Sequence, residues 1–550
     1  MILIAGKKII LPTVMVLMTA WMSFPAPCLA EDVATREEEK KTSHASAESE
    51  EQPRFFIHQY KVSGAKRLPR GDVEKAVYPF LGPYRTSKDI DDACAALEKA
   101  YKEKGFQTVA VQAHPRPNAK GVVTLYVSEV EVGRLRVKGS RYFSLEQIKQ
   151  EAPSVAEGTL PDFNDVTRDI LALNRIPDRR VTPAINAGRE PGKIDVDLMV
   201  KDTFPLHGNV ELNNRYSADT TSLRLNTSLS YANLWQIGHT VGLSYQLSPM
   251  DVNQVQSLFA YYSAPVPDID GLTLTLQGSE QNSKVSTLGT IDSIGGGETV
   301  GVRATLALPG KKGFYHSAIL GFDYKYADQS VTIGGNTADA IRTPVTYFPW
   351  SANYSASWLG TEASTELNGG VTFNVRGLGS DSPRFDARRH SADANFIYFR
   401  GDISHTRELP EGFQFFTKVQ GQIADRPLIT NEQFGGGGLD TARGYLESLV
   451  TGDNAIFGTL EMRTPSVGGY IWQEISDWRF FVFTDAGQLV LKNPLPEEIS
   501  HFDMASWGAG SRMRINEHFN GALTYGVPMI HNPQYKGPER LLTFRLWYDF

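Results

Sequence analysis

The 550-residue chain contains only two cysteines, Cys28 and Cys94. That is too few for a disulfide framework or a cysteine-rich zinc site. It also lacks the repeated apolar runs of about 18 residues that a polytopic helical membrane protein needs. Positive charge is scarce: 55 Lys and Arg face 62 Asp and Glu, a net charge of −7, so no basic surface for nucleic acid is expected. The 11 histidines are scattered without paired spacing for zinc, and no Ser-His-Asp arrangement can be argued. No catalytic residue, metal site or cofactor is predicted. What the chain does have is 49 glycines, 11% aromatics and 41% hydrophobic residues, enough for several folded units. Its mean hydropathy of −0.28 is compatible with a membrane β-barrel, whose strands alternate and so average to mild hydrophilicity.

The N-terminus reads as a secretory signal peptide over residues 1–30. Lys7 and Lys8 precede an apolar stretch from Ile9 to Phe24, then Pro25, Pro27 and Cys28-Leu29-Ala30. An uncleaved anchor is the weaker reading, because the apolar core is short and followed by prolines. Cleavage after Ala30 leaves one thiol, Cys94. Residues 31–53 are rich in Glu, Lys, Ser and Ala, and predict an acidic flexible linker that cannot bury enough surface to order itself. At the other end, alternation places Leu542, Phe544, Leu546, Tyr548 and Phe550 on one face of a strand, with Thr543, Arg545, Trp547 and Asp549 on the other. One face suits lipid and the other a wet lumen; taken alone, an ordinary half-buried terminal strand would explain it.

Between these ends lie two small α+β units, 54–129 and 130–204, repeating at about 75 residues. The first reads strand (Ile57–Val62, ending Ser63-Gly64), helix, helix, strand, strand. Its second helix carries Ile90, Cys94, Leu97 and Tyr101 on one face, with Thr86 and Asp89 as a capping box and Gly105 as the stop. Cys94 is thereby predicted to be a small buried hydrophobe. The second unit repeats the order with Val132–Val137 (ending Lys138-Gly139), helices over Ser144–Gln150 and Asp162–Asn174, then Val181–Ile185 and Ile194–Val200.

From 205 to 550 helical periodicity gives way to about sixteen alternating segments separated by turn residues. Many reach the ~9–11 tilted residues a membrane strand needs, so a 16-stranded transmembrane barrel is predicted over a large soluble β-sandwich or propeller. Phe259, Tyr261, Tyr262, Tyr347, Phe348, Trp350, Phe396, Tyr398 and Phe399 are candidates for interfacial girdles. Between the eleventh and twelfth segments a long connection, about 426–453, holds Gly435-Gly436-Gly437-Gly438 and then Arg443-Gly444-Tyr445. No Gly-Lys-Ser/Thr follows the glycines, which argues against a phosphate loop. The next segment but one contains Phe483-Thr484-Asp485-Ala486-Gly487, with Phe483 and Asp485 on the lumen side. A carboxylate in a narrow lumen needs a cationic partner; Glu461 and Arg463 share the inward parity of Thr459.

These features resemble two-partner secretion outer-membrane transporters, the haemolysin/haemagglutinin secretion-activation family of the insertase/translocase superfamily. The two small units resemble polypeptide-transport-associated (POTRA) domains, and Leu173-Asn174-Arg175-Ile176-Pro177-Asp178-Arg179-Arg180-Val181 resembles the second of them. Arg443-Gly444-Tyr445 matches the family's inward-folding loop motif, and Phe483, Asp485 and Gly487 its Phe-x-Asp-x-Gly strand motif. Glu211-Leu-Asn213-Asn214, Asn233-Leu-Trp235 with Gly238-His239, and Tyr262-Ser-Ala-Pro265 resemble its opening strands. The resemblance implies pairing of Arg443 with Asp485 and a barrel-assembly signal in Phe544, Leu546, Tyr548 and Phe550. It implies a monomer in the bacterial outer membrane, with POTRA domains in the periplasm, that exports a large, unfolded, β-helix-forming partner without ATP. The POTRA domains would capture that partner by β-augmentation. The barrel-assembly machinery and periplasmic chaperones would serve its biogenesis. Residues 31–53 offer no convincing amphipathic plug helix, which the family often has. An outer-membrane insertase of the same superfamily and a passive porin are the alternatives.

Overall fold

The computed structural model describes residues 53–550 apart from 177, 219, 268, 283–284, 289–290, 295, 329, 332–340, 497 and 532–536. The predicted signal peptide and nearly all of the predicted acidic linker lie outside the described residues.

The first small unit sets strand Val122–Ser128 between Gln59–Ser63, parallel to it, and Ala110–Ala113, antiparallel. Helices Arg70–Val77 and Ser87–Glu103 cover one face, and a short ribbon pairs Phe55–Ile57 with Gly82–Arg85. The longer helix starts where expected: the Thr86 N–H and hydroxyl both donate to Asp89 Oδ2 at 2.8 Å. The Thr86 N–H, followed by its hydroxyl and Arg85, holds the Asp89 carboxyl below the usual carboxylate range. Ile90, Ala93, Leu97 and Tyr101 are fully buried and face Val123 and Leu125. Cys94 sits only partly buried at the margin of this core. Burial, with Asp91 and Glu98 nearby, pushes its thiol up to about 11.

The second unit repeats the arrangement. Lys193–Asp202 lies between the parallel Glu131–Lys138 and the antiparallel Arg179–Ala187. Helices Leu145–Gln150 and Phe163–Leu173 are capped by Ser144 and Asp162. The duplication extends to one backbone detail. Gly64 and Gly139 follow the first strand of each unit at φ +93° and +89°, and a Cβ there would meet the Val127 and Val200 carbonyl oxygens at 2.2 and 2.4 Å. Only glycine fits both the left-handed backbone and the close approach.

The remaining chain forms one closed antiparallel barrel of sixteen strands. These are β1 Leu206–Asn213, β2 Arg224–Leu234, β3 His239–Leu247, β4 Gln256–Pro265, β5 Leu272–Asn282, β6 Gly297–Lys311 and β7 Phe314–Ala327. Strand β8 comprises Val345–Tyr347 and Trp350–Leu359, both paired with β7 across an interruption at Phe348-Pro349. They continue as β9 Ala363–Phe373, β10 Ile397–Glu408, β11 Gln414–Ala424, β12 Asn454–Arg463, β13 Ile475–Val490, β14 His501–Ile515, β15 Phe519–Pro528 and β16 Leu541–Asp549. Strand β16 closes onto β1, with Arg545 opposite Asn213 and Asp549 opposite Asn209. Arg545 pairs with Glu211 across this seam at 2.7 Å. Leu542, Leu546, Tyr548 and Phe550 are exposed on the outer face while Thr543 is buried inside, so the terminal strand alternates as its sequence does.

The second unit rests on the barrel's near end. In the β2–β3 turn, the Gln236 side chain accepts from Ser144 N–H at 2.9 Å and donates to the Tyr142 carbonyl at 3.1 Å. Arg175 forks onto Asp270 in the β4–β5 turn, and His207 of β1 contacts Asp178 at 2.8 Å.

One expectation requires correction. Phe259, Tyr347, Phe396 and Tyr398 are buried inside the barrel, and Tyr261 lines its lumen; they form no girdle. Trp350 and Phe399 are exposed outside. Adjacent residues such as Tyr398 and Phe399 must point to opposite sides of a strand, so an aromatic cluster in sequence divides between lumen and lipid.

Candidate functional site in the barrel lumen

The connection from β11 to β12 turns back into the barrel instead of projecting away from it. A short ribbon, Phe434–Gly436 with Val450–Gly452, forms its neck, and residues 437–447 form its tip. At the tip, Arg443 is 6% exposed and meets Asp485 of β13, which is 1% exposed. The Arg443 backbone N–H and Nε both donate to Asp485 Oδ2 at 2.9 Å, and Nη2 donates to Oδ1 at 2.9 Å. Its remaining Nη1 donates to Glu461 of β12. The guanidinium carbon lies 3.6 Å above the centre of the Phe483 ring. The guanidinium is thus held edgewise by two carboxylates and faced by one aromatic ring, a geometry that a lysine cannot reproduce.

Glu461 is the hub of this cluster. It also accepts from Arg463 Nε at 2.7 Å and pairs with Arg512 of β14 at 3.2 Å. Arg512 stacks on Phe481 at 4.6 Å and Arg463 on Phe416 at 4.8 Å. Three arginines and two carboxylates therefore meet in one patch of the β11–β14 wall, with Arg443, Glu461 and Asp485 buried and Arg512 at its exposed margin.

Gly444 has φ +97°, and a Cβ on it would lie 2.9 Å from the Gly526 carbonyl carbon of β15. The tip backbone packs directly on the wall there, which demands glycine on both sides. The Tyr445 hydroxyl lies 2.9 and 2.8 Å from the carbonyls of Ala505 and Ile530. Gly487 stands apart from the ionic patch. Its missing side chain admits the Phe457 ring, which would be 2.1 Å from a Cβ. Phe457 in turn stacks on Phe434 of the loop's neck at 5.9 Å.

Several further anchors carry no motif. Arg215, between β1 and β2, pairs with Glu447 at 2.7 Å and with Asp440. Arg389, between β9 and β10, forks onto the fully buried Asp453 with two bonds of 2.7 Å. Glu432, 1% exposed, accepts from Lys325 and Tyr347 at 2.6 Å and from Tyr398 at 2.8 Å. The only sequence signal available for these was an acidic residue on either side of a glycine run. Their partners lie up to 232 residues away, beyond any local pattern. Among the described residues no group of His, Cys, Asp and Glu is placed to hold a metal ion.

Comparison with known proteins identifies the family and the fold. Residues 192–513 match the model of the haemolysin secretion/activation proteins ShlB/FhaC/HecB. Residues 55–129 match the ShlB-type POTRA domain. The chain is 22% identical over 521 residues to the outer membrane transporter CdiB of Escherichia coli O6:K15:H31, covering 90% of this chain and 82% of that one. The solved structure of CdiB from Escherichia coli superposes with a TM-score of 0.63 at 19% identity, covering 92% of this chain and 93% of that one. BamA from Haemophilus ducreyi lacking POTRA domains 1–3 shares the fold with a TM-score of 0.55 at 13% identity, covering 90% of this chain and all of that one.

Proposed function

The chain belongs to the ShlB/FhaC/HecB haemolysin secretion/activation family, and from that premise we propose how it moves its partner protein. It is a two-partner secretion transporter, a translocase and not an enzyme, with its barrel in the outer membrane and its POTRA domains in the periplasm. Under our proposal the cargo is a large, β-helix-forming protein that reaches the barrel unfolded. The outer strands of the two POTRA sheets add a strand of cargo by main-chain hydrogen bonding, and side-chain contacts select it. The loop carrying Arg443, Gly444 and Tyr445 controls the lumen. Folding of the cargo outside the cell draws it through, since no nucleotide is available in the periplasm. The protein acts as a monomer, and Phe544, Leu546, Tyr548 and Phe550 present β16 to the barrel-assembly machinery after periplasmic chaperones deliver the chain.

The observation that carries the reading is the buried Arg443 clamp. Removing one partner of a buried ion pair costs about 3–5 kcal/mol, because it leaves the other charge uncompensated. A loop held this way has a defined docked state that a translocating chain can work against. Phe483 and Asp485 supply the floor and the counter-charge, Glu461 and Arg463 extend the network, and Gly487 seats the neck through Phe457.

The test is Arg443→Ala, Asp485→Ala and deletion of residues 55–129, each scored for barrel insertion and for export of a co-expressed partner protein. Insertion with export abolished is the expected result for all three. Unchanged export in all three overturns the proposed mechanism. General failure of outer-membrane protein assembly on depletion of the protein would identify an insertase instead.

A further inference from the structure

The tip of the inward-folded loop is fastened to one side of the lumen. The tip packs on β12 to β15, through Glu461, Asp485, Ala505 and Gly526. On the opposite side β3 to β10 enclose a cavity of about 710 Å³. Its lining includes Ser263, Thr275, Gln277, Thr305, Ser351 and Asn353, all neutral hydroxyl or carboxamide side chains. The charged pair in its wall is internally satisfied: Arg303 forks onto Asp323 at 2.7 and 2.8 Å. On β7 the cavity runs from Ile319 to Lys325. At about 3.3 Å per residue that is roughly 20 Å of strand, set against an apolar band about 25 Å tall.

The far end of the cavity has a definite closure. Lys325 and Tyr398 both line the cavity and both donate to Glu432, a carboxylate on the root of the loop. Tyr347 supplies a third donor. The root therefore crosses the outer mouth of the cavity, while the Arg443 tip is fastened to the other wall. The two attachments are separate in space and use different strands.

We propose that this half-lumen is the track for the exported chain, an extended polypeptide, and that Glu432 on Lys325, Tyr347 and Tyr398 is the latch at its outer end. The inference rests on the reading that this barrel exports an unfolded protein, and it locates the path and the exit within that reading. Hydroxyl and carboxamide groups exchange hydrogen bonds with backbone amides of any sequence. They impose no unpaired charge, so they hold a passing chain weakly and release it, as conduction requires. Opening the latch frees the mouth by lifting the loop's root while the Arg443 tip is still docked.

The experiment uses the full-length transporter in which Cys94 is replaced by Ser. Single cysteines at Ser263, Thr275 or Ser351 are labelled with a bulky maleimide, and conductance in planar bilayers and partner export are measured. Labelling is expected to lower conductance at least about twofold and to stall export. Cysteines at Thr524 or Thr543, buried elsewhere in the lumen, are expected to label poorly and to change neither. Labelled track cysteines that leave both conductance and export unchanged overturn the track. For the latch, Glu432→Gln and Lys325→Met are each compared with the parent, with heat-modifiable gel mobility verifying barrel closure. A severalfold rise in the time spent open is expected for both. Open times equal to the parent in both variants, with Arg443→Ala alone increasing them, overturn the latch. A failed track with export still lost in Arg443→Ala leaves the proposed function standing, so the two failures are distinguishable.

Discussion

The first POTRA unit and the barrel lumen are both buried interiors with apolar clusters, but the lumen adds buried ion pairs that the first unit's core lacks. In the first POTRA unit the core is Ile57, Ile90, Leu97, Tyr101, Val123 and Leu125, packed with no ion pair among them. In the lumen an apolar cluster that includes Phe434, Tyr445, Val450 and Phe457 is joined by buried charges: Arg443 with Glu461 and Asp485, then Glu432, then Asp453. Apolar burial is non-directional and roughly proportional to area, so it stabilises a unit as a whole. Buried ion pairs give modest net stability but strict geometry, because each charge is costly without its partner. The domains are thus built to persist, and the loop is built to occupy one position until something displaces it.

The contrast can be broken on the lumen side first. Asp485→Ala removes three hydrogen bonds from Arg443, leaves its guanidinium to Glu461 alone, and is expected to cost about 3–5 kcal/mol of loop docking. Limited proteolysis within residues 425–453 should accelerate, while heat-modifiable mobility shows the barrel wall intact. Next comes the apolar side. Leu97→Ala should remove about 2–5 kcal/mol from the first POTRA unit. Hydrogen exchange should then quicken throughout 55–129 with no change in the barrel; exchange that quickens in both would show the units to be one cooperative body.

Smaller changes sharpen the comparison. Gly444→Ala forces a left-handed alanine, a cost of about 1–2 kcal/mol, and presses its methyl on the Gly526 backbone. The same proteolysis assay should place it between the parent and Asp485→Ala. Thr86→Ala should cost about 1 kcal/mol through the lost helix cap. Because Thr86 lowers the Asp89 carboxyl, the cap's contribution is present above the ordinary carboxylate range and is lost as pH falls through the depressed value. The backbone N–H of residue 86 still donates to Asp89 in the variant, so only the hydroxyl's share titrates away and the stability difference should shrink on acidification, measured by helical circular dichroism; a constant difference down to low pH would refute the assignment.

Much of the fold was legible because its signals are local. The capping box at Thr86 and Asp89 involves residues three apart, and the repeat of Ser63-Gly64 by Lys138-Gly139 needs no partner to be noticed. The sixteen or so alternating segments expected between 205 and 550 became the sixteen barrel strands, and the parity read for Phe483 and Asp485 and for the terminal strand matched. The aromatic girdles were misread because an unbroken run such as Phe396 to Phe399 does not reveal which parity faces the lumen. In the site, Arg443 and Asp485 were reachable through a motif. Glu432 with Lys325 and Asp453 with Arg389 belong to no motif, and each pair joins loops and strands that only barrel closure brings together.

By itself the sequence determined the period of the side chains, the number of strands, the two repeated small domains and the loop that carries Arg443. These follow from steric preferences that act over a few residues, and they hold wherever the chain goes. Tertiary structure alone decided to which side of the lumen the loop's tip is fastened and which carboxylates lie against which cations. Those pairings depend on the path of the loop and the closure of β16 on β1. A charge finds its partner by distance in space, and in this barrel residues close in space are often a hundred or more apart in sequence.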